Sequence, residues 1–397
     1  MGSTTMTSLS ASAHIDPSPG GILNLVRSGA SASRADIARA AGLAPSTVTA
    51  RVEALISNGY LREAGPGTSS GGRRPKHLEV DPDAGVALGV DLGAHHASFG
   101  LFDMGGTLLA ERHLDMDIAD GPQKILAWIA AEADAMVRES AGNGQQLRGI
   151  GLGLPGPVES PGGRLVSPSR MPGWNGVDAA AMLSVLAGVP ALAENDANLM
   201  ALGEQVSLAE DVDHLVFVKA GSSIGCGIIA SGRLFHGHRG MAGDISHVSV
   251  PNAPQTLCSC GRIGCLDAVA GGAAIVASLR RAGVDVADTG EVLRLAEDGH
   301  PLATQTLRDA GTRTGGVLAT IVNFFNPQRL VLGGNLSEAD AFVAGVRSAI
   351  YTECLPLATD HLEIAVTRAK ALGGTIGAAQ LMLDHLFDTR VINESLA

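Results

Sequence analysis

The chain has 397 residues with 45% hydrophobic content, enough for two or three domains that each bury a core, so a single small fold is excluded. No stretch approaches the ~20 consecutive apolar residues of a transmembrane helix, and the start, rich in Ser, Thr, Gly and Pro, lacks the basic and apolar regions of a signal peptide. The expectation is a cytoplasmic protein with no membrane partner and a disordered leader over residues 1–20.

The net charge of −12 is divided unevenly. Residues 1–80 hold eight Arg/Lys against five Asp/Glu, whereas residues 81–397 hold 20 against 35, so only the head suits a polyanion. Within the head, over residues 21–80, Ser33 followed by Asp36 predicts a capped helix from Arg34 to Ala41. Gly42 ends it, and Pro45 opens a second helix whose Val48, Val52, Leu55 and Ile56 form one apolar face. Two short helices joined by a tight turn form a helix-turn-helix pattern, with the second helix placed for the major groove. Strands at Tyr60–Glu63 and His77–Val80 would flank a glycine-rich wing. The candidate DNA contacts are Ser33, Arg34, Ser46, Thr47, Thr49 and Arg51 on the helices, and Arg73, Arg74 and Lys76 on the wing. A small helical bundle for protein contact is the competing reading.

The acidic body carries one scheme twice. "GVALGVDLG", "HASFGLFDM" and "TLLAERHLDM" predict three strands, followed by a helix over residues 123–140 and the strand "LRGIGLGLPG". "HLVFVKAGS", "IGCGIIASG" and "RLFHG" repeat the three strands, with helices from about Gly272 and the strand "RLVLGGN". Two α/β lobes with a ligand cleft between them follow, one over residues 81–200 and completed by about 375–390, the other over 201–374. Asp91 and Gly93 sit in a glycine turn of the first copy, and Gly221, Ser222 and Gly225 in that of the second, where backbone N–H groups can approach phosphates. Tight hairpins require glycine as well. At a strand-to-helix junction, Asn195 and Asp196 face two readings: a carboxylate able to take a proton from a sugar hydroxyl, or a helix N-cap.

Three of the five cysteines, Cys258, Cys260 and Cys265, fall within eight residues, downstream of His247. One nitrogen and three sulfurs are the number a closed tetrahedral zinc site requires, and clustered cysteines in a reducing cytoplasm favour metal over disulfides. Redox chemistry and packing are the alternatives. Cys226 and Cys354 are isolated and read as packed thiols.

Over residues 21–385 these pieces together resemble the ROK family of sugar kinases and sugar-responsive repressors, in the order the repressor branch uses. The resemblance implies an actin-like (RNase H-like) two-lobed α/β fold preceded by a winged helix-turn-helix. Gly153-Leu154-Pro155-Gly156-Pro157-Val158 looks like the family's sugar-cleft loop, and Asn195-Asp196 like its sugar-binding pair, with Asp196 at the base position of the kinases. Asp244-Ile245-Ser246-His247 is similar to its Glu-x-Gly-His element, and the segment from Cys258 to Asp267 to its zinc segment. The implied sugar ligands are Gly156, Asn195, Asp196, Asp244, His247 and Asp267, with one structural Zn2+ per chain on His247, Cys258, Cys260 and Cys265.

The departures are specific. The family's Asp-x-Gly-Gly-Thr reads Asp91-Leu92-Gly93-Ala94-His95, and its Gly-Thr-Gly reads Gly221-Ser222-Ser223, both against tight ATP binding. Asp244 and Asp267 stand where the family carries glutamates, withdrawing each carboxylate by about 1.5 Å. The expected function is a homodimeric, or tetrameric, transcriptional repressor that binds operator DNA and responds to a sugar or sugar derivative. The alternatives are an ATP/Mg2+-dependent sugar kinase using Asp196 as base and Asp91 for the metal-nucleotide, and a zinc-sensing regulator.

Overall fold

A computed structural model describes residues 16–30, 33–66, 76–140, 144–160, 163–168, 170–208, 210 and 212–397. The chain divides into two compact units, Met1–Ala84 with Leu383–Ala397, and Gly85–Met382.

The first unit begins earlier than the sequence pattern indicated. α1 (Pro19–Arg27) is opened by Ser18, whose hydroxyl accepts the Gly21 N–H, and by a proline in its first turn. α2 (Arg34–Ala41) is capped by Ser33 and ends at Gly42, whose φ of 65° is the left-handed conformation that glycine adopts without penalty. α3 (Pro45–Ser57) buries Val48, Val52 and Leu55 against Ile22, Leu23 and Ile37. β1 (Leu61–Pro66) and β2 (Lys76–Val80) pair antiparallel, from Leu61↔Val80 to Pro66↔Lys76. The wing tip with Arg73 and Arg74 lies outside the described residues, as does most of the leader.

The final helix, α14 (Thr389–Ser395), belongs to this unit. It lies against α1, where Asn393 Oδ1 accepts the Gly20 N–H at 3.0 Å and Thr389 accepts from Asn24 at 3.0 Å. Arg27 pairs with Asp384 and stacks 5.1 Å from the Phe387 ring centroid. The C-terminus thus supplies part of the head's packing.

The second unit holds two five-stranded sheets of the same design. In the first, β3 (Val86–Leu92), β4 (His96–Asp103) and β5 (Leu108–Asp115) are antiparallel neighbours. β6 (Leu147–Leu154) and β7 (Ala191–Asn195) then add in parallel, giving the order β5-β4-β3-β6-β7. α4 (Pro122–Ser140) and α5 (Ala179–Ala187) cover one face, burying Ile125, Leu126, Ile129 and Leu183 on Leu88, Val90 and Leu152. The second sheet repeats the plan with β8 (His214–Ala220), β9 (Ile224–Ala230) and β10 (Arg233–Leu234) antiparallel, then β11 (Arg329–Gly333) and β12 (Glu363–Val366) parallel. Its helices are α7 (Leu266–Ala270), α8 (Gly272–Arg281), α9 (Thr289–Glu297), α10 (Pro301–Phe325), α11 (Asp340–Glu353) and α12 (Pro356–Thr359).

Two helices cross between the sheets. α6 (Asp196–Ser207) leaves the first sheet but packs on β8 and β9 of the second. α13 (Gly373–Leu386) leaves the second sheet but packs on the first, where a Cβ at Gly89 or Gly151 would overlap the Thr375 or Ala378 carbonyl. The helices touch through glycine. A Cβ on Gly203 would overlap the Gly373 carbonyl oxygen, and one on Gly377 that of Leu199. Gly151 of "GIGLGLPG" therefore admits a helix backbone, and the cleft opens at the ends of β6, β7 and β8, where α6 begins.

Candidate functional site

Parallel strands end together, so the loops that follow them converge at the carboxyl edges of the sheets. One pocket there, enclosing about 850 Å³ including its open mouth, is lined by Gly156, Asn195, Asp196, Asp244, His247 and Asp267. All six residues expected to hold a sugar are thus brought together, in company with Arg170, Asn198, Lys219 and Ser246.

Asn195, not Asp196, is the N-cap of α6. Its Oδ1 accepts the N–H groups of Ala197 and Asn198 at 3.0 and 3.3 Å, and its Nδ2 donates to the Gly156 carbonyl at 3.1 Å, fixing the 153–158 loop against the helix. The capping alternative for Asp196 is therefore overturned, because the residue before it already fills that role. Asp196 is buried in the first turn and ion-paired to Lys219 of β8. Burial alone would lower the pKa of the Lys219 ammonium, but Asp196 and Asp91 together raise it, so it stays charged. Asp91, at the end of β3, has its carboxyl pushed up to about 7 by burial, reinforced by Asp196 and opposed by Lys219. Among the described residues its Oδ1 has no hydrogen-bond partner. A Cβ on Gly374 would overlap the Asp91 carboxylate, so α13 begins directly against it.

The first of the expected phosphate turns is covered by a side chain. The His96 ring lies over Gly93, stacked on His113 at 5.2 Å, and a Cβ on Gly93 would overlap that ring. The imidazole covering the turn is His96 rather than His95. Gly225 lies within β9, where a Cβ would come 3.1 Å from that of Ala197, so its size serves the seating of α6. Gly221 and Ser222 instead accept the N–H groups of Gly272 and Ala273 at the start of α8.

On the second-lobe wall, Asp244 accepts from Ser246, and Asp267 is fully engaged by protein. Asp267 Oδ1 accepts the Ile224 N–H at 3.1 Å, and its Oδ2 pairs with Arg170. Burial raises the Asp267 pKa, with Arg170 opposing. Within β7, Glu194 accepts from Asn195 N and Asn198 Nδ2 and meets His236 Nε2 at 2.7 Å. That hydrogen bond raises the His236 pKa.

Behind this wall His247, Cys258, Cys260 and Cys265 place their ligand atoms within 4.8 Å of one another, so the cluster could hold a metal ion. Cys258 Sγ lies 3.5 Å from His247 Nδ1 and Cys260 Sγ 3.7 Å from Cys265 Sγ. Sulfurs bound at 2.3 Å to a tetrahedral ion stand about 3.8 Å apart, and a sulfur and an imidazole nitrogen about 3.5 Å, so the donor set fits. The sulfurs are too far apart for disulfides. A tight turn with Gly261 at φ 85°, in which Cys258 N–H bonds the Arg262 carbonyl at 2.7 Å, curls the loop. Because Nδ1 points at the cluster, Nε2 of His247 is left for the cleft that the ring lines. Cys226 and Cys354 are buried apart from it.

In the head, two expected DNA contacts are turned inward. Ser33 is buried as the α2 cap, and Arg34 pairs with Glu53 and Glu63. Arg51 donates to the Pro17 carbonyl, and Lys76 pairs with Glu63. Ser46 and Thr49 are exposed on α3, with Thr47 half-buried between them.

Comparison with known proteins decides the family. Residues 87–385 match the ROK family, and residues 15–62 match the winged helix-turn-helix DNA-binding family. The chain belongs to the ROK family. A ROK family transcriptional regulator described as a homolog of the E. coli MLC protein superposes with a TM-score of 0.80 at 25% identity, covering 95% of this chain and 98% of that one. The putative xylose repressor of Caldicellulosiruptor sp. (strain Rt8B.4) is 28% identical, over 89% of this chain and 92% of its own. The transcriptional dual regulator NagC of Escherichia coli (strain K12) is 30% identical, over 84% of each. The duplicated mixed sheets with crossing helices are the actin-like ROK architecture, carried behind a winged head. Among the described residues, no helix is long and apolar enough to cross a membrane.

Lys219 and Arg170 were not expected at the site. A lysine inside the apolar run "HLVFVKAGS" was the available signal for the first, since a cation in a buried strand requires an acidic partner.

Proposed function

We propose that this ROK protein is a transcriptional repressor that binds operator DNA through its winged head and responds to a sugar or sugar derivative in the interlobe cleft. The observation carrying this reading is the convergence of Asn195, Asp196, Asp244, His247 and Asp267 from both lobes on one pocket, in a chain with a DNA-binding head. Relatives named as a xylose repressor and as NagC support it. We assign the cluster behind the cleft to one structural zinc per chain, since three thiolates and an imidazole form a closed tetrahedral set. The metal would hold the wall bearing His247 and Asp267 in place without taking part in chemistry. A symmetric operator calls for a homodimer, or a tetramer built from it.

The cleft is read as a sensor rather than a kinase site. A kinase requires its base free, whereas Asp196 is paired with Lys219, and His96 covers the turn where phosphates would approach. The test uses the full-length, zinc-loaded chain. It should retain specific fragments from a genomic DNA library, with affinity falling steeply with salt, and a sugar or sugar derivative should release them. Retention no better than non-specific binding overturns the reading. ATP-dependent sugar turnover that is lost in Asp196→Asn would establish the kinase instead.

A further inference from the structure

The two cations at the cleft are placed differently. Lys219 is enclosed, its ammonium held by Asp196 with Asp91 nearby. Arg170 stands at the opening, with 43% of its side chain exposed, and only one of its N–H groups meets a protein acceptor among the described residues. That acceptor is Oδ2 of Asp267, itself 4% exposed, whose other oxygen accepts from Ile224 N. The carboxylate therefore serves the protein on both oxygens, and the group it presents to the cleft is a guanidinium.

Arg170 is also firmly based. The next residue, Met171, and Trp174 are buried in the first-lobe core, and Trp174 Nε1 donates to the Ile118 carbonyl at 3.0 Å. Asn175 Oδ1 accepts from Ser167 N at 2.8 Å. The buried residues that follow and an ion pair at one edge orient the fork and leave its remaining donors for a ligand. On the opposite wall, Asp244 supplies an acceptor for hydroxyl groups.

We propose that Arg170 is the specificity-determining residue of this cleft, oriented by Asp267, and that the ligand is a monosaccharide bearing an anionic group, a carboxylate or a phosphate. A planar fork of N–H donors is matched by two oxygens of one anionic group, whereas a neutral hydroxyl accepts only one of them. The inference rests on the reading of the cleft as a sugar site and names the chemical class that the site takes.

The test is calorimetry and thermal shift on the full, metal-loaded chain with two matched series: glucose, glucuronate and glucose 6-phosphate, and galactose, galacturonate and galactose 6-phosphate. An acid or a phosphate of one series should bind at least tenfold tighter than its neutral member, and which of the two binds identifies the anion. Arg170→Lys keeps a charge beside Asp267 but loses the fork, and should weaken that binding by roughly 10- to 100-fold. The paired change Arg170→Met, Asp267→Asn removes both charges together and should equalise the series. Neutral sugars that bind as well as their acids, or unaltered affinity in both variants, overturn the inference and leave the sugar reading standing. An equal response to inorganic phosphate alone overturns it as well. If no sugar of either kind binds or releases DNA, the sugar reading falls and takes the inference with it.

Discussion

Replacing Lys219 by Met tests whether the ammonium balances two buried acids, Asp91 and Asp196. Asp91 and Asp196 are each about 95% buried, and the Asp91 carboxyl already stands at about 7 with the lysine in place. Removing one partner of a buried ion pair costs about 3–5 kcal/mol, because the remaining charge is left uncompensated. For a unit of about 300 residues unfolding with ~2.1 cal/mol/K per residue, that is a fall of about 5–8 °C in Tm. The loss should depend on pH in a fixed direction. A carboxyl whose folded pKa is raised gives its full stability below the unfolded value near 4 and loses it as pH rises through the folded value. Without the ammonium, which opposes that rise, the folded pKa of Asp91 goes up further, so the deficit should be small at pH 5 and large at pH 8. Differential scanning calorimetry of both proteins at these two pH values is the assay. The double variant Lys219→Met, Asp196→Asn should recover much of the loss, since one of the stranded charges is gone. A Tm within about 1 °C of the parent at pH 8, or a deficit equal at both pH values, would refute the reasoning.

Gly377→Ala drives a methyl into the Leu199 carbonyl where the two crossing helices meet, and should lower stability by about 3 kcal/mol, read from urea unfolding. A Cys258→Ser, Cys260→Ser double variant should lose its metal by elemental analysis and melt well below the parent, whereas unchanged metal content and Tm would dismiss the metal centre. His236→Gln removes a histidine whose pKa Glu194 raises, so the parent's advantage over it should be greatest below about pH 6.5 and decline as pH rises through the elevated value. Deleting residues 389–397 strips α14 from α1 and should destabilise the DNA-binding head, seen as weakened DNA retention and a lower-melting transition.

Much of the fold is written locally. Capping by Ser33 and the left-handed Gly42 fixed α2, and the apolar strands separated by glycine turns appear twice because two sheets of one design are built from them. The pattern of Ile22, Leu23 and Val26 behind Ser18-Pro19 also announced α1, although the preceding Ser/Pro-rich composition favoured reading residues up to 20 as a leader. What local pattern does not carry is the union of distant segments. α14 joins a helix some 370 residues earlier through Asn393 and Thr389, and nothing in "DTRVINESLA" names its partner. The same holds for Arg34, whose position ahead of a helix-turn-helix suits phosphate contact until Glu53 and Glu63 are found beside it.

The cleft divides along the same line. Cysteines and a histidine with metal-ligand spacing assemble their site from one short segment, so the loop that carries them also brings them together. The acids Asp91, Asp196 and Asp267 were visible as residues, but the cations beside them arrive from other elements. Asp196 would be a base if it faced a free hydroxyl; with Lys219 from β8 beside it, it holds a charge in place. Asp267 would take a sugar hydroxyl if its oxygens were open; with Ile224 N and Arg170 on them, it aims a guanidinium. The shortened side chains that distinguish this chain therefore do more than retreat from a ligand. A glutamate at 267 would carry its carboxylate about 1.5 Å beyond the position from which Asp267 meets Ile224 N and Arg170. Restoring Glu at 267 without removing Arg170 should disrupt the cleft rather than revert it.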